Sequence, residues 1–396
     1  MSTLAARAEL VKLGQMLGSD DTALAFLSYL PETQLRRLRD AVSERLFTED
    51  QDVFRRLATV AAQLPVVLVV PLCYAIGPML SARVVGEMKA KRAVATAIHL
   101  KPEFIAAICG HIDPRRARDL IRLMPVKNVI AIALKLIEMG NYPTAGRFVD
   151  FLSDEVIHAV LDAVQDEAEL LRVAFFVDSR NRLDHLIRML PQERRRKAIL
   201  LVLDDKVDLL DEILSLITSV SYSLKRELGD LAATQDEAVL ARIVHRVQER
   251  GLWGDLLPVV ASLSEENQRK VANLPILRDN PQLLDSLLQA ADRDALWRIV
   301  LPLAEMLDDA TRTVFAIAAT HLPREAIKRA AHAVLVGELW EPMLDLVRRM
   351  PFAKQCEFAE VLGEFRGVDL DLDRRIIQRA QAHGLAQALA TTGITT

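Results

Sequence analysis

The hydrophobic positions between residues 252 and 350 follow the same pattern three times. Trp253, Trp297 and Trp340 stand 44 and 43 residues apart, and each begins a short apolar run. Apolar positions recur at helical spacing in the segments before and after each run, so each copy predicts three helices. The predicted first, second and third helices are Asp236–Arg250, Leu252–Leu263 and Glu265–Leu274; Pro281–Asp292, Ala295–Leu307 and Asp309–His321; and Arg324–Val336, Leu339–Met350 and Phe352–Leu362.

The three-helix unit can also be followed towards the N-terminus. The second helices of these further copies end at Ile112, Leu152 and Leu190, which are 40 and 38 residues apart. Proline, serine or aspartate, the residues that commonly begin helices, stands just after these ends. The predicted helices are Lys89–Leu100, Lys101–Ile112 and Asp113–Met124; Val126–Asn141, Pro143–Leu152 and Ser153–Val164; and Asp166–Asn181, Arg182–Leu190 and Pro191–Leu203.

Three segments depart from the pattern. Residues 1–46 predict an N-terminal capping copy, with helices over Asp21–Leu30 and Pro31–Leu46. Residues 204–231 predict a truncated copy, with one helix over Val207–Ile217, a second over Ser219–Leu231 and a change of curvature. Residues 363–396 predict a C-terminal cap, in which Asp373–His383 is the last helix and the tail frays.

A period near 44 with three short helices per unit resembles the armadillo and HEAT repeat proteins. The resemblance implies an all-α fold, namely a right-handed superhelix of about nine degenerate repeats. It also implies one continuous solenoid over residues 1–396, in which each unit contacts only its neighbours.

Residues 57–82 contain no charged side chain, and this uncharged stretch is long enough to span a bilayer. Pro65, Pro71, Gly77 and Pro78 interrupt the stretch, and we expect a buried, broken pair of helices. A membrane-inserted or lipid-contacting segment is the alternative.

Composition narrows the functional classes. Among 396 residues, 51% are hydrophobic and 5% aromatic, and the formal net charge is −4. The negative balance disfavours a nucleic-acid partner. Cys73, Cys109 and Cys356 lie far apart, which indicates free thiols in a reducing compartment. The first 17 residues lack the apolar segment of a signal peptide, so we expect a cytoplasmic location.

A second resemblance rests on a recurring pattern of leucine, methionine and arginine residues over residues 100–205. Ile112-Asp113-Pro114-Arg115-Arg116-Ala117-Arg118-Asp119-Leu120-Ile121-Arg122-Leu123-Met124-Pro125 resembles the N-terminal intracellular superhelical domain of MgtE-type magnesium transporters, as does Leu183–Leu203. The resemblance implies a helical fold and, at most, a regulatory role. The CBS domains and membrane spans of that family have no counterpart here, so ion transport does not carry over.

Basic residues gather just after the start of the third helices. The third helix lines the concave surface of armadillo proteins, so these residues could form a track that binds an acidic peptide, a carboxylate or a phosphate. The alternative is a solvated face with local ion pairs to Glu193, Glu265 and Asp309. The predicted basic track comprises Arg36, Arg37, Arg115, Arg116, Arg118, Arg194, Arg195, Arg196, Lys197, Arg269, Lys270, Arg312 and Lys354.

The three tryptophans begin apolar stripes, which is typical of core residues that pack against the next unit. A stacking ladder along a binding groove is the alternative.

Motifs for catalysis and metal binding are weak or missing. The acidic patch at Asp204, Asp205, Asp208, Asp211 and Glu212 could attract a hard cation, but Asp204, Asp208, Asp211 and Glu212 are typical of the solvated face of an amphipathic helix. Asp369, Asp371 and Asp373 lack the rest of a calcium loop. No HExxH, GxGxxG, GxxxxGK[ST] or GxSxG pattern occurs. We therefore expect no metal, no cofactor and no enzymatic activity. A HEAT-like DNA glycosylase is the alternative that the net charge disfavours.

The sequence thus predicts a non-catalytic scaffold or adaptor that binds a protein or an anionic partner along its concave face. The alternatives are a regulatory ligand- or lipid-binding domain that uses residues 57–82, and a cation-responsive regulator like the MgtE N-terminal domain.

Overall fold

The computed structural model of the chain describes residues 4–19, 21–203, 206–364 and 377–391. Within these ranges every regular element is an α-helix or a short 3-10 helix, and none is a strand. The predicted all-α fold class is therefore confirmed, whereas the right-handed superhelix and the single continuous solenoid stay predictions. Contacts between Cα atoms divide the chain into two compact units, Met1–Ser221 (unit 1) and Tyr222–Thr396 (unit 2).

Unit 1 contains fourteen α-helices in the residues that are described. In order they are α1 (Leu4–Leu17), α2 (Glu32–Thr48), α3 (Gln51–Gln63), α4 (Val66–Glu87), α5 (Ala90–Ala97), α6 (Pro102–His111), α7 (Arg118–Leu123), α8 (Val126–Glu138), α9 (Tyr142–Val149), α10 (Asp154–Ala163), α11 (Glu167–Ala174), α12 (Arg180–Met189), α13 (Gln192–Leu200) and α14 (Leu210–Ser219). Short 3-10 helices cover Asp21–Leu27 and Leu201–Leu203.

Unit 2 begins with the second helix of the predicted truncated copy. Its helices are α15 (Tyr222–Ala233), α16 (Glu237–Arg250), α17 (Trp253–Ser262), α18 (Glu265–Ala272), α19 (Pro275–Asp279), α20 (Pro281–Arg293), α21 (Trp297–Glu305), α22 (Asp309–Ala319), α23 (Arg324–Gly337), α24 (Trp340–Val347), α25 (Phe352–Glu364), α26 (377–382) and α27 (Ala386–Thr391). Most of the predicted Asp373–His383 helix is therefore present as α26, while residues 365–376 and 392–396 lie outside the described part.

The three helices predicted for each tryptophan copy are present, as α16–α18, α20–α22 and α23–α25. The middle helices of successive triplets, α17, α21 and α24, contact each other. Trp253, Trp297 and Trp340 are each the first residue of a middle helix, and each is at most 5% exposed. Their predicted place in the core is thus confirmed, and the stacking ladder along a groove is wrong.

Each tryptophan follows a helix that ends in a left-handed residue, a conformation that the periodicity did not predict. Gly251, Ala295 and Glu338 lie two residues before the tryptophans and all have positive φ, between 55° and 66°. This left-handed residue lets the next amide donate back to the preceding helix, from Leu252 to Val247 and from Leu296 to Ala291. Glycine, which fits this conformation without strain, marks only the first of the three ends.

Helix α1 contradicts the expectation that each copy contacts only its neighbours. It packs on α2 but also contacts α9 and α14, far along the chain. Arg7 pairs with Asp211 at 2.9 Å, and Lys12 pairs with Asp178 at 2.5 Å. The start of unit 1 is therefore held against its last helix, which a simple stack of repeats does not require.

The uncharged stretch forms a broken helix pair, as predicted, but its predicted burial is wrong. Pro65 separates α3 from α4, and Gly77 interrupts α4 with φ of 82° and ψ of 170°. Within α4 only Val69, Cys73, Ser81 and Ala82 are buried. Apolar character alone could not distinguish a core helix from one that leaves most of its apolar surface exposed.

Candidate functional site

Most of the predicted basic track is already bonded within the protein. Arg194 donates to the carbonyls of Leu161 and Val164, at the end of α10, at 2.8 and 2.7 Å. Lys270 donates to the carbonyls of Ala233 and Gln235, just past the end of α15, at 2.7 Å each. Cations at helix C-termini are favourable there because the last carbonyls lack helical partners.

Other track residues form ion pairs or ring contacts. Arg312 donates to the carbonyl of Leu307 and pairs with Asp345. The guanidinium of Arg118 lies over the ring of Phe151. The remaining pairs join Arg36 to Glu32, Arg115 to Asp113, Arg116 to Glu44, Arg269 to Glu265 and Lys354 to Glu357.

Three residues of the track have exposed side chains that form no hydrogen bond or ion pair with the described part of the chain. They are Arg37, Arg196 and Lys197, and Arg195 lies half-buried beside the last two. The cations left for a partner are therefore far fewer than the sequence suggested.

Sequence reasoning missed a buried charged cluster in unit 1. Glu9 and Lys12 of α1 and Arg39 of α2 have side chains that are 1%, 2% and 6% exposed. Lys12 and Arg39 both contact Asp178, which follows α11, and both contact Glu9. The available signal was the position of Glu9 and Lys12, one turn apart among the buried residues of α1.

The cluster fixes the charge state of its central carboxylate. Burial disfavours the ionised form of Asp178, but Lys12 and Arg39 outweigh that effect and hold its pKa well below the usual range. Asp178 is thus a carboxylate at neutral pH, and the two buried cations depend on it and Glu9.

A second candidate is the hairpin of α3 and α4, where apolar side chains face solvent. Val67 is 80% exposed, Val60 and Met79 are each 57% exposed, and Leu68 is 54% exposed. Leu57, Leu72, Tyr74, Ile76 and Leu80 are each at least 39% exposed. Monomeric soluble proteins rarely present a continuous apolar surface of this kind unless it binds something.

A cavity of about 280 Å³ lies beneath the hairpin. Leu57, Val60, Leu72 and Ile76 line the cavity and are also exposed, so it opens on the apolar face of the hairpin. Side chains from α5 and α6 line its inner part, including Ala93, Ile105 and Cys109. Burial raises the pKa of the Cys109 thiol to about 12, which keeps it neutral.

Basic residues flank the uncharged stretch in sequence. The side chains of Arg56 in α3, and of Lys89 and Lys91 at the start of α5, are exposed and form no hydrogen bond or ion pair with the described residues. Arg83 instead is held inside the fold, where it donates to the carbonyl of Leu46 at 2.7 Å and lies over the Phe54 ring. Exposed positive charges therefore stand before and after the uncharged stretch in the sequence.

Among the described residues, α4 is the single helix with the length and apolar composition to cross a membrane, and 22% of its most apolar window is buried. The core helix of a soluble protein can meet the same criterion.

No group of three or more histidine, cysteine, aspartate or glutamate residues suited to a metal ion occurs in the described part of the chain. Asp204, Asp205, Asp369, Asp371 and Asp373, from the acidic patches considered above, lie outside it.

Neither a scan against protein-family models nor a search of curated proteins gives a match to this chain. The armadillo, HEAT and MgtE resemblances therefore rest on the sequence patterns alone.

Proposed function

We propose that this chain is a non-catalytic helical protein that binds the surface of anionic lipid bilayers through α3 and α4. The observation that carries the proposal is the exposed apolar face of this hairpin, which has no charged side chain between Leu57 and Ala82. Apolar side chains enter the interfacial region of the bilayer, and the cavity below accepts a hydrocarbon chain.

The energetics favour contact with lipid. Full burial of one valine or leucine side chain contributes about 1.5 to 3 kcal/mol, and the hairpin exposes several at once. Each basic residue near an anionic bilayer adds about 1 kcal/mol, and the exposed residues Arg56, Lys89 and Lys91 flank the uncharged stretch in sequence. Apolar cavities of about 150 Å³ stay dry and accept small hydrocarbons, so about 280 Å³ suits part of an acyl chain.

The proposed contact is peripheral and does not cross the bilayer. Val69, Cys73 and Ala82 belong to a protein core cluster that includes Ile105 and Ile108 of α6. One side of α4 is thus already covered by protein. The break at Gly77 would also leave backbone groups without partners in the hydrocarbon region. An apolar face that lies in the plane of the interface meets both constraints.

Co-sedimentation with vesicles tests the proposal. Wild-type protein should bind vesicles of equal parts phosphatidylglycerol and phosphatidylcholine, and binding should weaken with added salt. The double variant Val67→Glu/Leu68→Glu should bind at least ten-fold more weakly, because both side chains are exposed and the new charges resist insertion.

Val336→Glu serves as the matched control, since Val336 is 58% exposed in unit 2. It should bind as the wild type does. Equal binding by the double variant, or no binding by the wild type, contradicts the proposal. Self-association that the double variant abolishes, without vesicle binding, would assign the face to a second copy of the chain.

A protein scaffold that uses the basic track remains a second proposal. Its support is the exposure of Arg37, Arg196 and Lys197, which form no bond within the described part. It is weaker because most other track residues contact carbonyls or carboxylates of the chain itself. The variant Arg196→Glu/Lys197→Glu separates the two functions, since it should lose an acidic protein partner but keep vesicle binding.

A further inference from the structure

A second cavity in unit 1 has a different chemical character from the apolar cavity. Its volume is about 190 Å³, and helices α1, α2, α4 and α9 contribute to its walls together with the end of α6. Polar side chains there are Ser43, Arg83, His111, Asp113 and Arg147, with Met16, Leu46, Phe47 and Met79 beside them.

The guanidinium of Arg147 forms no hydrogen bond or ion pair with the described residues. Arg147 lies in the last turn of α9 and is half-buried. Burial and the nearby charge of Arg39 both lower its pKa. An arginine stays protonated even so, which leaves a poorly solvated guanidinium with its donors unused.

The nearest carboxylates are committed to other cations. Asp113 accepts from Arg115 through both of its oxygens and from the Ser43 hydroxyl at 3.0 Å. Burial opposes ionisation of Asp113, but the hydrogen bonds from Arg115 outweigh it and lower the pKa of Asp113. Asp178 likewise is bonded to Lys12 and Arg39.

Because the carboxylates near Arg147 are bonded to other cations, its guanidinium is available to an anion from outside the chain. Arg39 and Arg115 add positive potential near Arg147 and lower its pKa, whereas the carboxylates Asp113 and Asp178 act in the opposite direction. A guanidinium binds carboxylate and phosphate oxygens with two parallel hydrogen bonds, and the low dielectric of a cavity strengthens them. A volume of about 190 Å³ holds about six waters at about 30 Å³ each, which is room for a small oxyanion.

We propose that this cavity binds a phosphate group through the guanidinium of Arg147. The phosphate comes either from a free phosphate ion or from a lipid headgroup, since Met79 belongs both to this cavity and to the exposed face of α4. The free-ion arm does not depend on the proposed bilayer contact. Bound phosphate supplies the counter-charge that the fold does not give to Arg147.

Calorimetric titration of the full chain distinguishes the two sources. Inorganic phosphate and short-chain dioctanoyl phosphatidic acid below its micellar concentration are the two probes. Binding of both indicates a site for the phosphate group itself, and binding of the lipid alone indicates a headgroup site. In either case Arg147→Gln should weaken binding at least ten-fold, and Arg147→Lys should weaken it less because the charge remains.

Arg122→Gln is the control, since Arg122 in α7 is an exposed arginine of unit 1 whose side chain forms no hydrogen bond or ion pair with the described residues and which is not part of the basic track. It should bind the probes as the wild type does. The increase in unfolding temperature on addition of a probe is an independent readout, since loss of a purely structural residue would lower the unfolding temperature but leave this increase in place. The probe that binds should raise the unfolding temperature of the wild type and leave that of Arg147→Gln unchanged. The proposal is overturned if neither probe binds, or if Arg147→Gln binds the probes as tightly as the wild type does.

Discussion

Asp178→Ala is expected to lower the free energy of unfolding of unit 1 by about 3 kcal/mol. Removing one partner of a buried ion pair typically costs about 3 to 5 kcal/mol, because the remaining charge stays out of water. The lower end applies because the Asp178 side chain is 24% exposed and Glu9 still contacts Lys12 and Arg39. Denaturant unfolding followed by circular dichroism measures the loss.

Asp40→Ala is the matched control for this measurement. Asp40 also contacts Arg39, at 3.2 Å, but its side chain is 37% exposed. Exposed pairs contribute about 0 to 1 kcal/mol, so this variant should lose less than about 1 kcal/mol. If Asp178→Ala loses no more than Asp40→Ala, the buried cluster does not hold α1 in place.

The difference in stability between the wild type and Asp178→Ala should depend on pH, and the direction follows from the pKa of Asp178. The pKa of Asp178 is lower in the folded chain than the value of about 3.9 expected when it is unfolded. Its contribution to stability is therefore complete above about pH 4 and is lost as pH falls through the lower folded pKa. The stability difference between wild type and Asp178→Ala should be constant near neutrality and shrink below about pH 4. A difference that grows on acidification would contradict this assignment.

Trp297→Ala is expected to destabilise unit 2 by about 3 to 5 kcal/mol, the usual range for removal of a buried aromatic side chain. Trp297 is 5% exposed at the start of α21, which contacts both α17 and α24. The loss should therefore affect two neighbouring triplets. Denaturant titration followed by the emission of Trp253 and Trp340 measures the change.

Ile317→Ala, in α22, is the control because Ile317 is 48% exposed. Surface substitutions usually change stability by about 0.5 kcal/mol or less. A loss for Trp297→Ala that is as small as the control's would show that the tryptophan does not join neighbouring triplets.

The helices were predictable where local signals agreed. Around Trp253 and Trp297 the apolar spacing and the repeated tryptophan predicted second helices that begin at Leu252 and Ala295, and α17 and α21 begin one and two residues later. The left-handed ends at Ala295 and Glu338 gave no such signal, because neither residue favours positive φ.

The candidate sites were less predictable because they depend on contacts between distant residues. The spacing of Arg194 and Lys270 placed them near the start of a third helix, but carbonyls of an earlier helix take their donors. Lys12 contacts Asp178, which lies 166 positions later in the sequence, and a periodic pattern cannot predict a contact between residues so far apart. The run from Leu57 to Ala82 looked like core, since hydrophobicity does not say how much of a helix is covered.

The depth of residue 67 at a bilayer tests the central proposal most directly. Val67 is the most exposed apolar residue of α4, and a cysteine there can carry an environment-sensitive fluorophore. The variant is Val67→Cys in a Cys356→Ser background, in which the label attaches to residue 67 because Cys73 and Cys109 are buried. With phosphatidylglycerol vesicles the emission should shift to the blue and be quenched by lipids with nitroxide-labelled acyl chains. A label at Arg196→Cys in the same background should show neither change. Unchanged emission at residue 67, or equal changes at both positions, would contradict binding of the bilayer by α3 and α4.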